Sequence, residues 1–145
     1  MRKSFAALVL LPLLPLIAAC GDDDNGADDA GAAEPELVQV LVLTSAGGEV
    51  APTPYLVEDR AQMKAYVRTF DDRDDVAEAI QQAVTDAGER DGDLAVATVA
   101  IGCEVPEDVT ISEGADGWEV GPEKAPTSKV ECFAPTTSIA LVELP

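Results

Sequence analysis

There is no histidine in these 145 residues, and that absence excludes more chemistry than any motif present. Histidine is the side chain whose charge changes near neutrality. Its loss removes the usual general base, the Ser-His and Cys-His nucleophile pairs and the common zinc ligand sets. Basic residues are scarce too: 9 Lys and Arg stand against 28 Asp and Glu, a formal charge of −19. Such a surface repels nucleic acid and anionic headgroups within a Debye length or so, and no basic run offsets it, which argues against a nucleic-acid partner. Aromatic residues make up 4% of the chain, and Trp118 is the sole tryptophan. No Gly-x-Ser-x-Gly, phosphate-cradling glycine loop, dinucleotide fingerprint or Cys-x-x-Cys occurs. No repeat at a fixed period is visible. The N-terminal apolar run, residues 5–19, is 15 residues long and broken by Pro12 and Pro15, too short to span a bilayer.

What is present begins at that run. Basic Arg2-Lys3, the apolar stretch and a close of small residues are the three parts of an export signal. Ile17-Ala18-Ala19-Cys20, followed by a polar segment, resembles the lipobox of bacterial lipoproteins. The resemblance covers residues 1–20 and implies that residues 1–19 are a signal peptide and that Cys20 is lipid-modified. The alternative is an ordinary signal peptide that contains a cysteine. Lipoprotein processing would leave 126 residues with 28 acids and 7 bases, a formal charge of −21. Two or more acyl chains would make attachment stable, where one gives only marginal binding. The expected location is extracytoplasmic, with the membrane as the first partner.

Residues 20–36 carry seven acids, no base and no large apolar side chain, the composition of a solvated tether. The Asp-rich start invites a calcium reading. Placing Gly26 at the turn of an EF-hand loop puts Gly21 at the first ligand position and Ala32 at the bidentate one, so the register fails. No metal site and no cofactor is expected.

The remaining residues, 37–145, have the size of one domain. Residues 37–43, Leu-Val-Gln-Val-Leu-Val-Leu, read as a strand buried on both faces. Pro52-Thr53-Pro54 enforces an extended connection. A helix is predicted over 60–70, capped by Asp59 with Gln62 as capping-box partner and carrying the stripe Met63, Tyr66, Val67, Phe70. A second is predicted over 75–87, capped by Asp75 with Glu78 and ended by Gly88. Val76, Ile80, Val84 and alanines 77, 83 and 87 form its inner face. Residues 94–101 read as a second doubly buried strand. Residues 109–112 and 118–120 read as a hairpin, and residues 129–133 and 138–144 as another turning at Ala134-Pro135. The sum is an α+β fold: one N-terminal strand, two helices, then about five mostly antiparallel strands with the helices packed on the sheet.

Cys103 and Cys132 are the only other cysteines. In an exported chain the isolated pair reads as a structural disulfide tying two strands. Ser45, at a strand end before Gly47-Gly48, is the best-placed serine. A Ser-Lys pair with Lys64, Lys124 or Lys129 is the only nucleophile arrangement open to it, a plain loop serine being the alternative. The densest acid clusters, Asp71/Asp72/Asp74/Asp75 and Glu89/Asp91/Asp93, bracket the second helix. They lie about 20 Å apart at about 1.5 Å per residue, beyond the reach of a glycosidase-type pair. The first cluster suits a helix N-terminus. Trp118, beside a hairpin turn, is a candidate anchor for a protein partner, or else packs over the sheet.

Residues 94–145 carry a further likeness. A buried strand ending in Gly102-Cys103, then Pro106, a hairpin, and a Pro135-Thr136-Thr137 turn into residues 139–145 (Ile-Ala-Leu-Val-Glu-Leu-Pro) resemble the C-terminal domain of PrcB-type protease-complex subunits. Those are non-catalytic accessory proteins, often lipoproteins. The chain departs from them in reading Gly102-Cys103-Glu104-Val105 where that family tends to carry Thr-Gly-Gly-Tyr. The resulting expectation is a membrane-anchored lipoprotein without catalytic residues that binds an envelope protein. The alternatives are a solute- or cation-binding accessory protein, or a hydrolase using carboxylates or Ser45.

Overall fold

The strands follow from β-branched and small residues in unbroken runs, the helices from two amphipathic stripes. In chain order the elements are β1 (Glu36–Thr44), β2 (Ala51–Leu56), α1 (Arg60–Val67), α2 (Arg73–Ala87), β3 (Asp93–Gly102), β4 (Val109–Gly114), β5 (Gly117–Pro122) and β6 (Thr136–Leu144). The structure, a computed structural model, describes residues 33–124 and 132–145. The signal-peptide reading, Cys20 and nearly all of the tether lie outside these residues, as does Lys129.

Four strands form one antiparallel sheet of order β1-β6-β3-β2, and β4 and β5 pair as a separate hairpin. The fold is α+β and mainly sheet. Alternation along the two central strands buries both sheet faces. Val96, Ile139 and Leu141 meet Tyr66, Phe70, Val76, Ile80 and Ala83 of the helical layer. Ala95, Ala97, Val99, Ala140 and Val142 meet Val120 and the half-buried Ile111 and Trp118 of the hairpin. Alanines on that side let the hairpin backbone come close. The three layers are helices, sheet and hairpin.

Several expectations need correction. Two strands precede the helices and four follow among the described residues. Residues 51–56, read as a connection, pair with β3 as an edge strand whose ladder is irregular between Ala51 and Tyr55, where Pro52 and Pro54 offer no N–H. β1 is the other edge, not a doubly buried strand, and Val42 is 47% exposed. Glu36, assigned to the tether, is its first residue. β6 does not pair with residues 132–133. It lies between β1 and β3, residues 132–135 form no strand, and residues 129–131 are outside the described set.

Asp59 caps α1, accepting hydrogen bonds from the Ala61 and Gln62 N–H groups at 2.8 and 3.1 Å. Gln62 Nε2 donates to the Asp59 carboxylate, while Gln62 Oε1 accepts from the Leu56 N–H, tying the helix start to β2. The helix stops at Val67, three residues short of expectation, because the chain tightens through Thr69 and Phe70, whose N–H groups donate to the Tyr66 and Val67 carbonyls. α2 is capped by Asp72, not Asp75, and the Asp75 N–H donates to the Asp72 carboxylate. The Asp71 and Asp72 N–H groups both reach the Ala46 carbonyl, which fixes the chain there and starts the helix earlier. Gly88 ends it with φ +71, as its position predicts.

Candidate functional site

Cys103 and Cys132 are disulfide-bonded, with Cα atoms 5.3 Å apart. Cys103 follows the last residue of β3 and Cys132 precedes β6, so Cys132 is not itself in a strand. Gly102 and Thr136 are partners across that ladder, and Thr136 Oγ1 donates to the Gly102 carbonyl at 2.9 Å. The bridge therefore closes the base of the excursion that carries the β4–β5 hairpin. Trp118, at the start of β5, is half-buried against the apolar cluster of the sheet.

The remaining candidates do not converge. Ser45 is exposed and adopts a left-handed φ of 58°, with its N–H donating to the Pro135 carbonyl at 2.8 Å. Among the described residues no lysine is hydrogen-bonded to it. The two acid clusters stand at opposite ends of α2. Its 15 residues span about 22 Å at about 1.5 Å each, as the spacing requires. The Asp72 carboxylate and a hydrogen bond to it raise the Asp75 carboxyl above its ordinary value, but both are exposed at a helix start. Near the other end, the Gly92 N–H donates to Glu143 Oε1 at 2.8 Å and Arg90 Nη1 lies 3.1 Å from Glu143 Oε2 and 3.5 Å from Glu36. The Gly92 bond, then Arg90, hold the Glu143 carboxyl below its ordinary value. A polar hollow of about 510 Å³ beside them is edged by Glu58, Glu89, Arg90 and Asp91. Among the described residues no three His, Cys, Asp or Glu side chains gather as a metal-binding group. No described helix is long and apolar enough to cross a membrane.

One feature of different character lies between the helices. The outer side of α1 and α2 holds an apolar groove of about 570 Å³, lined chiefly by Val57, Met63, Val67, Ile80 and Val84, with Arg60 and Lys64 on its rim. It lies where the two helices face each other, and Met63 and Val67 of α1 and Ala77 and Val84 of α2 stay partly or wholly exposed there. Tyr66 and Phe70 of the α1 stripe are fully buried, whereas Met63 and Val67 are only half-buried and face the groove. Among the described residues the ion pairs are those of Arg90, so Arg60 and Lys64 lack a carboxylate partner there.

No family model, curated protein or solved structure matches the chain. Arg60 and the groove were missed from the sequence, and Lys64 was considered only as a partner for Ser45. The available signal was the repeat Arg60, Lys64, Arg68 at four-residue spacing beside the Met63/Val67 stripe.

Proposed function

We propose that this protein is an extracytoplasmic lipoprotein, anchored through acylated Cys20, that binds another envelope protein without catalysing a reaction. The lipobox-like residues 17–20 and the acidic segment behind them support the anchor. The likeness of residues 94–145 to an accessory domain points the same way. The observation that carries the binding role is the α1–α2 groove, an accessible apolar surface on a chain of charge −19. The groove is an open surface feature, not an enclosed cavity, which suits a segment of another chain, whereas a small solute needs most of its surface enclosed. Among the described residues no lysine is hydrogen-bonded to Ser45, and the Asp72 and Asp75 carboxylates, though close together, stand exposed at a helix start.

Crosslinking in intact cells, comparing the native chain with Cys20→Ala, tests this reading. The native chain is expected in the membrane fraction with a reproducible protein neighbour, and Cys20→Ala is expected to lose both. Unchanged fractionation of Cys20→Ala contradicts the anchor, and the absence of any neighbour above background contradicts the binding role.

A further inference from the structure

Arg60 and Lys64 sit one helical turn apart on α1, both exposed and both on the rim of the apolar groove. Neither has a carboxylate partner among the described residues, so together they give the apolar groove a positive edge in a chain with three times as many acids as bases. Their stems can lie along the groove wall while their head groups stay in water. An occupant should therefore present apolar side chains to Met63, Val67, Ala77 and Val84 and a carboxylate to each rim cation.

We infer that the groove docks an amphipathic helical segment of the partner whose apolar stripe is edged by Asp or Glu. This rests on the protein-binding reading above and names the chemistry of the bound segment. The dimensions suit it. α1 is about 12 Å long, and apolar side chains at i, i+3, i+4 and i+7 span about 10.5 Å of a docked helix. A second copy of this chain is the poorer occupant, because a twofold contact sets a patch against itself and would bring Arg60 and Lys64 against their own equivalents. A flat anionic bilayer is also poorer, because it would reach past the groove to Glu58, Asp59, Asp74, Asp75 and Glu78, exposed around the same helices, whereas a single helix seated in the groove meets its described lining, which carries no acid.

The test is titration of the purified, exported full-length chain in detergent with a 15-residue synthetic helix carrying leucines at i, i+3, i+4 and i+7 flanked by glutamates. The same helix with lysine flanks, palmitate, and phosphatidylglycerol vesicles are the competing probes. The glutamate helix is expected to bind more weakly at high salt, and R60E/K64E is expected to weaken it on the order of tenfold while preferring the lysine helix. Both substitutions are at exposed positions, and circular dichroism checks that the fold is retained. Equal binding of the two helices, no effect of R60E/K64E, or charge-dependent binding of palmitate or vesicles alone overturns the proposal. A partner crosslinked in cells at the groove, with no preference for the glutamate helix in vitro, overturns the chemistry and leaves the binding role standing.

Discussion

Tyr66 supplies the polar element of the helical core. Its hydroxyl and Thr98 Oγ1 share a buried hydrogen bond of 2.8 Å, and its ring meets Tyr55 and Phe70 at centroid distances of 5.0 and 5.1 Å. Burial pushes its phenol above the ordinary tyrosine range. The folded state thus holds that proton more tightly than the unfolded chain does. The associated stability is complete below about pH 10 and declines as pH rises beyond it. Tyr66→Phe leaves Thr98 Oγ1 buried without its partner and is expected to cost about 1–3 kcal/mol in urea unfolding followed by Trp118 fluorescence. Glu143 has the opposite sign. Its carboxyl is held below 4.5, so its contribution is present above that value and lost as pH falls. Glu143→Gln is expected to lower Tm at pH 7, by an amount that shrinks as pH falls below the ordinary glutamate range. A constant difference between the two would contradict the Gly92 and Arg90 contacts as its cause. The sequence placed Tyr66 and Phe70 on one stripe, because 3.6-residue spacing is local information. Thr98, 32 residues away, is not singled out by the sequence, because nothing local shows what faces it.

At the scale of elements, the legible parts are those set by near neighbours. The inner strands β3 and β6, the hairpin β4–β5, α1 with its Asp59 cap and the Gly88 stop all follow from patterns a few residues long. Edge position was not legible: the apolar run of β1 reads like an inner strand, and only its pairing on one side, with β6, exposes Val42. β2 was concealed by Pro52 and Pro54, which argue against a central strand but are tolerated at an edge. The choice of Asp72 over Asp75 depended on a tertiary contact, the Ala46 carbonyl. Glycine at 48 serves the same turn, with φ +96 and the Phe70 ring 2.7 Å from where a Cβ would stand. The disulfide joins elements adjacent in the sheet across a separation of 29 residues. Loop closure of that length corresponds to about 3.6 kcal/mol in the chain-entropy description. Replacing both cysteines with serine is expected to lower unfolding free energy by roughly that amount, read in urea against the oxidised chain. Equal stability would mean that the hairpin packing alone fixes the excursion.

The described residues combine an acidic surface, a sheet buried on both faces and an open apolar groove edged by two cations. High net charge keeps such a domain soluble and discourages contact with other polyanions, so binding must be local. The α1–α2 groove provides that locality. It escaped the sequence because both stripes read as core, and how far apart two helices sit is not local information. The most direct measurement is site-specific photocrosslinking in intact cells, with a benzoylphenylalanine at Ala77 in the groove and, separately, at Ser112 on the hairpin. Both positions are exposed, so neither probe disturbs the core. One dominant protein adduct is expected from position 77, absent from position 112 and lost with Cys20→Ala. Equal labelling from both positions, or none from position 77, would contradict the groove as the binding site.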